Sequence, residues 1–175
     1  MSESLYFIAI LPPQEIQDEI TAFKNEIAQK FDSKHALNSP PHITLHMPFK
    51  WKDKKFDQLQ EVIRSINDRL VPFKIELYDF DFFEPRVVFV NVIGTEELDN
   101  LQKTVITACR KELKLDNGNY KDRPFHPHVT VGFRDLRKAR FYEAKSEFEN
   151  RKVYFEFMTS EITLLKHDGK QWKVV

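Results

Sequence analysis

Two five-residue stretches of this 175-residue chain are near copies of each other, Pro41-His42-Ile43-Thr44-Leu45 and Pro127-His128-Val129-Thr130-Val131. Each sets a His-x-Thr triplet among β-branched and apolar residues, the composition of a half-buried strand. Strand side chains alternate between the two faces of a sheet. His42 and Thr44 therefore share one face, with Ile43 and Leu45 on the other; His128 and Thr130 oppose Val129 and Val131 in the same way. A fold that buries both apolar faces leaves two imidazoles and two hydroxyls free to meet in one cleft. This demand restricts the architecture more than any other feature of the chain.

The remaining pattern fits such a fold. Residues 5–11 form an apolar run ended by Pro12-Pro13, and a helix over about 14–31 follows with Ile16, Ile20, Phe23 and Ile27 along one face. The first motif strand covers about 42–49, a second helix about 56–70, and a hairpin pairs 73–83 with 86–93 around Glu84-Pro85. Thr95 is placed to cap a third helix carrying Leu98, Leu101, Val105 and Ala108. Past the turn-rich Asp116-Asn117-Gly118-Asn119 come the second motif strand at 126–133 and a charged helical stretch at about 136–148. Strands at 152–157, 161–166 and 171–174 complete the chain. No linker or low-complexity tract interrupts it. The order predicts one α+β domain over residues 1–175 with mainly antiparallel sheets.

Composition narrows the function classes. Lys plus Arg and Asp plus Glu both number 27, so a nucleic-acid role would rest on a local site and not on a basic coat. The single Cys109 excludes an internal disulfide framework and fits a reducing compartment. Within Val105-Ile106-Thr107-Ala108-Cys109 it reads as a small buried hydrophobe. Met1-Ser2-Glu3-Ser4 lacks the basic region of a signal peptide, and no apolar run approaches a membrane span. The expected location is the cytoplasm, with no membrane partner.

Imidazole titrates near neutrality, so one histidine of a pair can accept a proton while the other donates one. The two threonines can donate hydrogen bonds to phosphate oxygens. Metal binding is the rival chemistry: simple alternation puts His46 on the face of His42, and His126 on that of His128. Catalytic metal sites usually add a carboxylate, a thiolate or a third histidine, and these faces carry no Asp, Glu or Cys. No metal and no cofactor are expected. His35 and His167 lie in polar, turn-like sequence and are expected to be exposed; His46 and His126 read as either cleft-edge or structural.

On these motifs the chain resembles the 2H phosphoesterase superfamily, and within it the bacterial 2′-5′ RNA ligase or cyclic phosphodiesterase branch. Leu5-Tyr6-Phe7-Ile8-Ala9-Ile10-Leu11-Pro12 is similar to that branch's first strand, and both His-x-Thr signatures fall in matching order, so nearly the whole chain is covered. The resemblance implies a bilobal fold, with two similar antiparallel-sheet lobes backed by helices around a central cleft. It implies metal-independent hydrolysis of 2′,3′-cyclic phosphate ends of nucleotides or RNA to 2′-phosphates, with action on 2′-5′ linkages as a further capacity. RNA ends or small nucleotides are the implied partners, and a non-catalytic nucleotide or RNA binder using the same cleft is the alternative. His42 and His128 become the acid–base pair, with His128 favoured as base in hydrolysis, and Thr44 and Thr130 become phosphate binders. The branch often carries an Arg soon after the second motif. Here Gly132-Phe133 intervene before Arg134, which is a candidate substrate contact or else an exposed strand-end charge. In Phe49-Lys50-Trp51-Lys52, Trp51 is a second candidate contact, able to stack a base, while Phe49 also reads as core.

Overall fold

The computed structural model describes residues 2–119, 121 and 123–175. Strand β1 (Glu3–Ile10) leads into helix α1 (Gln14–Phe31), then β2 (Ile43–Lys52) and α2 (Phe56–Arg69). The hairpin β3 (Phe73–Phe83) and β4 (Val87–Val92) follows, then α3 (Glu96–Leu113), β5 (His128–Gly132) and α4 (Lys138–Phe148). Strands β6 (Tyr154–Thr159), β7 (Thr163–His167) and β8 (Trp172–Val174) end the chain. They build two four-stranded sheets, in the orders β2-β1-β7-β8 and β5-β4-β3-β6, with every pairing antiparallel. This is the α+β architecture that the sequence predicts. Thr95 caps α3 as expected, its hydroxyl accepting from the Leu98 backbone N–H at 3.2 Å. No helix among the described residues is long and apolar enough to cross a membrane.

Each motif strand is the outermost strand of its own sheet, and the helices cross between sheets. Helix α1 links β1 to β2 yet packs on β5, while α3 links β4 to β5 and packs on β2. One buried cluster therefore joins Tyr6, Ile8 and Ile10 of β1 with Val88, Val90 and Val92 of β4. The opposite face of β1 presents Phe7 and Ala9, which pack with Leu165 and Trp172 in a separate small cluster.

Both motif strands carry a β-bulge directly after the threonine. In the first sheet Ile10 pairs with Ile43, Ala9 with Thr44 and Ile8 with His46, so Leu45 is the extra residue. In the second, Val90 pairs with Val129, Phe89 with Thr130 and Val88 with Gly132, so Val131 is extra. A bulge interrupts alternation and lets two successive residues point the same way. Leu45 and His46 both turn into the core, at 1% exposure each. The expectation that His46 shares the face of His42 is thus corrected: its ring lies 5.1 Å from that of Phe49, which is itself core. Its Nδ1 donates to the Met47 carbonyl at 2.8 Å, and its Nε2 has no hydrogen-bond partner among the described residues.

Candidate active site

The two histidines are seated by the same local device. His42 immediately precedes β2 and its Nδ1 donates to the Pro40 carbonyl at 2.8 Å; His128 opens β5 and its Nδ1 donates to the His126 carbonyl at 2.6 Å. A carbonyl only accepts, so each Nδ1 carries the hydrogen and each Nε2 keeps a lone pair for chemistry. Both rings are half-buried. His42 packs against Phe7 at 4.6 Å between ring centroids, and Phe7 meets Trp172 edge-on at 4.6 Å. His128 stands between Phe83 and Phe89, 5.1 Å from each. Strands β2 and β5 pack together, and His128 is near enough to oppose charge on His42. Thr44 and Thr130, also half-buried, sit beside Ala9 and Phe89 of the neighbouring strands.

Electrostatics disfavour charge on both rings. Burial pushes His42 down to about 4 against the Pro40 carbonyl, which favours the charged form, and the positive charges of Lys24 and His128 lower it further. Burial also lowers His128, opposed by the His126 carbonyl and reinforced by the His126 ring. Such a site can hold one neutral and one protonated imidazole around an anion.

The rim differs from the sequence expectation. His35 and His167 are half-buried, not exposed. His35 lies edge-on to Phe133 at 5.0 Å, His167 lies edge-on to Trp172 at 4.9 Å, and His167 opposes charge on His35 across the rim. Their turn-like sequence describes their own backbone, not where the loops land. Asp135 ties the flank of the second motif to the approach of the first, accepting from Ser33 Oγ at 2.7 Å and from the Lys34 and His35 backbone N–H groups. Arg134 is exposed at φ 61°, its guanidinium 5.5 Å from the Phe133 ring centre and close to His35. His126 is exposed beside Phe83, at 5.1 Å.

Trp51 is not gathered into this cleft. It lies nine positions beyond His42, ~30 Å at the rise of an extended strand, and its indole N–H donates to the Lys55 carbonyl at 2.8 Å. The tryptophan near the first histidine is Trp172, which sequence reasoning placed in a strand but not at the site. Its signal was the turn His167-Asp168-Gly169, which folds β8 back onto β7. Cys109 is buried and its thiol is pushed up to about 12, as befits a packing residue. Among the described residues no group of three or more His, Cys, Asp or Glu is placed to hold a metal ion.

Comparison with known proteins agrees with this geometry. E. coli LigT in apo form has a TM-score of 0.69 at 21% identity, covering 100% of this chain and 95% of LigT. LigT complexed with 3′-AMP gives a TM-score of 0.70 at 21% identity, covering 99% of this chain and 95% of that one. These likenesses establish the fold. A protein of Geobacillus kaustophilus (strain HTA426), named "Putative phosphoesterase GK0864", is 30% identical over 175 residues, covering 97% of this chain and 92% of the relative. Residues 12–171 match the family model described as the 2'-5' RNA ligase superfamily. With the match running over most of its length and both His-x-Thr strands inside it, the chain belongs to the 2'-5' RNA ligase superfamily of 2H phosphoesterases.

Proposed function

We propose that this phosphoesterase hydrolyses 2′,3′-cyclic phosphate ends of nucleotides or short RNA in the cytoplasm, without a metal, leaving a 2′-phosphate, and that 2′-5′ linkages are a further substrate. One observation carries the reading: two imidazoles seated identically through Nδ1, each with a threonine hydroxyl two residues on, in strands that pack together. A neutral Nε2 takes a proton from water as the water oxygen bonds to phosphorus. The bond from phosphorus to the 3′ oxygen breaks, and the partner imidazolium gives that oxygen its proton. Thr44 and Thr130 donate to the nonbridging oxygens, where charge gathers in the transition state. Acid and base are each worth about 10²–10⁴ in rate. The complex of LigT with 3′-AMP supports a small-nucleotide ligand. Trp172, Phe133 and Arg134 at the rim are the candidates for base and phosphate contacts.

The test is incubation of the purified protein with 2′,3′-cyclic nucleotides in EDTA and identification of the phosphate product. A 2′-phosphate is expected, and His42→Ala and His128→Ala should each lower kcat by orders of magnitude. Nucleotide binding should stay within about tenfold, roughly 1.4 kcal/mol. Complete inhibition by EDTA with rescue by zinc would replace this mechanism with a metal-dependent one. Nucleotide binding with no turnover on cyclic phosphates or 2′-5′ linkages would make the protein a binder.

A further inference from the structure

We propose that Lys24 is a positioning residue for this site: from the core stripe of α1 it clamps the loop that seats His42 and, by its charge, directs the shared proton to His128. The inference rests on the acid–base reading above.

The buried positions of α1 are Ile20, Lys24, Ile27 and Phe31, so a lysine occupies a core position of the helix at 2% exposure. Its Nζ donates to the Ala36 carbonyl and to the Ser39 carbonyl, both at 2.8 Å. The next carbonyl after Ser39, that of Pro40, receives the His42 Nδ1 hydrogen at 2.8 Å. The ring orientation of His42 is therefore tied to α1 through one short loop. Among the described residues Lys24 has no carboxylate partner, so the two carbonyls offset only part of the cost of burying its charge.

The second half of the fold has the same histidine seat, and there the positive neighbour of His128 is the His126 ring. The buried polar residue of α3 is Gln102, a neutral amide that donates to Asn119 Oδ1 at 2.8 Å. The two near-identical motifs thus have unequal surroundings, a buried lysine acting on His42 and the His126 ring on His128. Acid–base chemistry needs an inequality, since one ring must be neutral while the other is protonated. Among the described residues the charged groups that act on His42 are Lys24 from α1 and His128 from β5; Phe7 of β1 and the Pro40 carbonyl carry none. His42 is then the proton acceptor in the free enzyme, the reverse of the assignment expected from the sequence. Burial brings Lys24 itself down to about 7. A neutral amine still has two hydrogens for two carbonyls, so the clamp persists at higher pH while the charge effect fades.

The experiment follows the histidine Cε1–H resonances by NMR across pH 4 to 9, with His42→Ala and His128→Ala supplying the assignments. In Lys24→Gln and Lys24→Met, His42 should bind its proton at least threefold more tightly than in the wild type, with His128 moved less. The acidic limb of kcat/KM should move to higher pH, and kcat should fall about tenfold with KM changed little. Lys24→Gln, which keeps a donor for the loop, should retain more activity than Lys24→Met. If the variants do not fold, the wild type decides: the His42 resonance should show a second inflection as Lys24 loses its proton. An unchanged His42 titration in folded variants, or a single inflection in the wild type, would overturn the proposal. A wild type that shows the coupling but turns over no substrate would instead sink the functional reading alone.

Discussion

Thr44 and Thr130 flank the histidines without titrating, and this separates their role from that of the rings. Thr44→Ala or Thr130→Ala should lower kcat by about 10²–10³, the cost of losing one donor to a developing oxyanion. The pH profile should keep its shape, and Thr→Ser should recover much of the rate because the hydroxyl is retained. In the proposed mechanism the histidines set that profile. Both are harder to protonate than a free imidazole, His42 reaching about 4. The profile of kcat/KM reports the free enzyme, so its bell should peak on the acid side of pH 6.5. The two limbs belong to the coupled pair and not to single residues. A kcat/KM profile with both limbs above pH 7 would contradict the two-histidine mechanism.

At the scale of elements, the paired bulges decide which side chains reach the cleft and which reach the helices. Gly132 lies just past the second bulge, where α1 crosses the strand. A β-carbon there would stand 3.1 Å from Ile27 Cγ2 and 3.5 Å from Leu136 Cδ2. Ile27 is β-branched within a helix and has little rotamer freedom to retreat. Gly132→Ala should therefore destabilise by about 1–3 kcal/mol, as overpacking does. Ile27→Leu, which removes the branching methyl while keeping volume, should recover part of the loss in a double-mutant cycle measured by urea unfolding. The cap of α3 offers a simpler check: Thr95→Ala should cost about 1 kcal/mol, read as a lower urea midpoint with an unchanged slope.

For the molecule as a whole, the lowered histidines become a statement about stability. His42, His46 and His128 all bind protons less readily folded than unfolded, with burial the first cause in each. Below about pH 6.5 the unfolded chain then holds more protons than the native one. Their contribution is complete above that pH and is lost as pH falls, by about 1.4 kcal/mol per pH unit for each extra proton. Unfolding free energies measured at pH 7, 6 and 5 should decline accordingly. His46→Leu should flatten the decline, since it removes a buried base whose Nε2 has no partner among the described residues. Glu26, held down to about 2 chiefly by its hydrogen bond from Arg151, loses its contribution as pH falls from the ordinary value of 4.5 toward 2, below this window.

What the chain determines by itself is whatever depends on residues a few positions apart. The 3.6-residue period of α1, the Thr95 cap, the hairpin around Glu84-Pro85 and the apolar faces of the His-x-Thr strands are all local, and each element stands where its pattern places it. The duplicated motif also points to the candidate site, because strands that bury Ile43 and Val129 turn His42 and His128 to the opposite face. Tertiary structure decided the rest. His46 turned inward because a bulge at Leu45 shifted the count by one, and the pairing with β1 that defines the bulge is made across the sheet. Lys24 holds a core position because two carbonyls of a loop 12 and 15 residues further on receive its ammonium group. His35, His167 and Trp172 meet at the rim only because β8 folds onto β7 and Asp135 draws the 33–35 segment toward the second motif. Spacing within a strand or helix reports which face a side chain takes; which remote surface that face meets is set by packing over the whole chain.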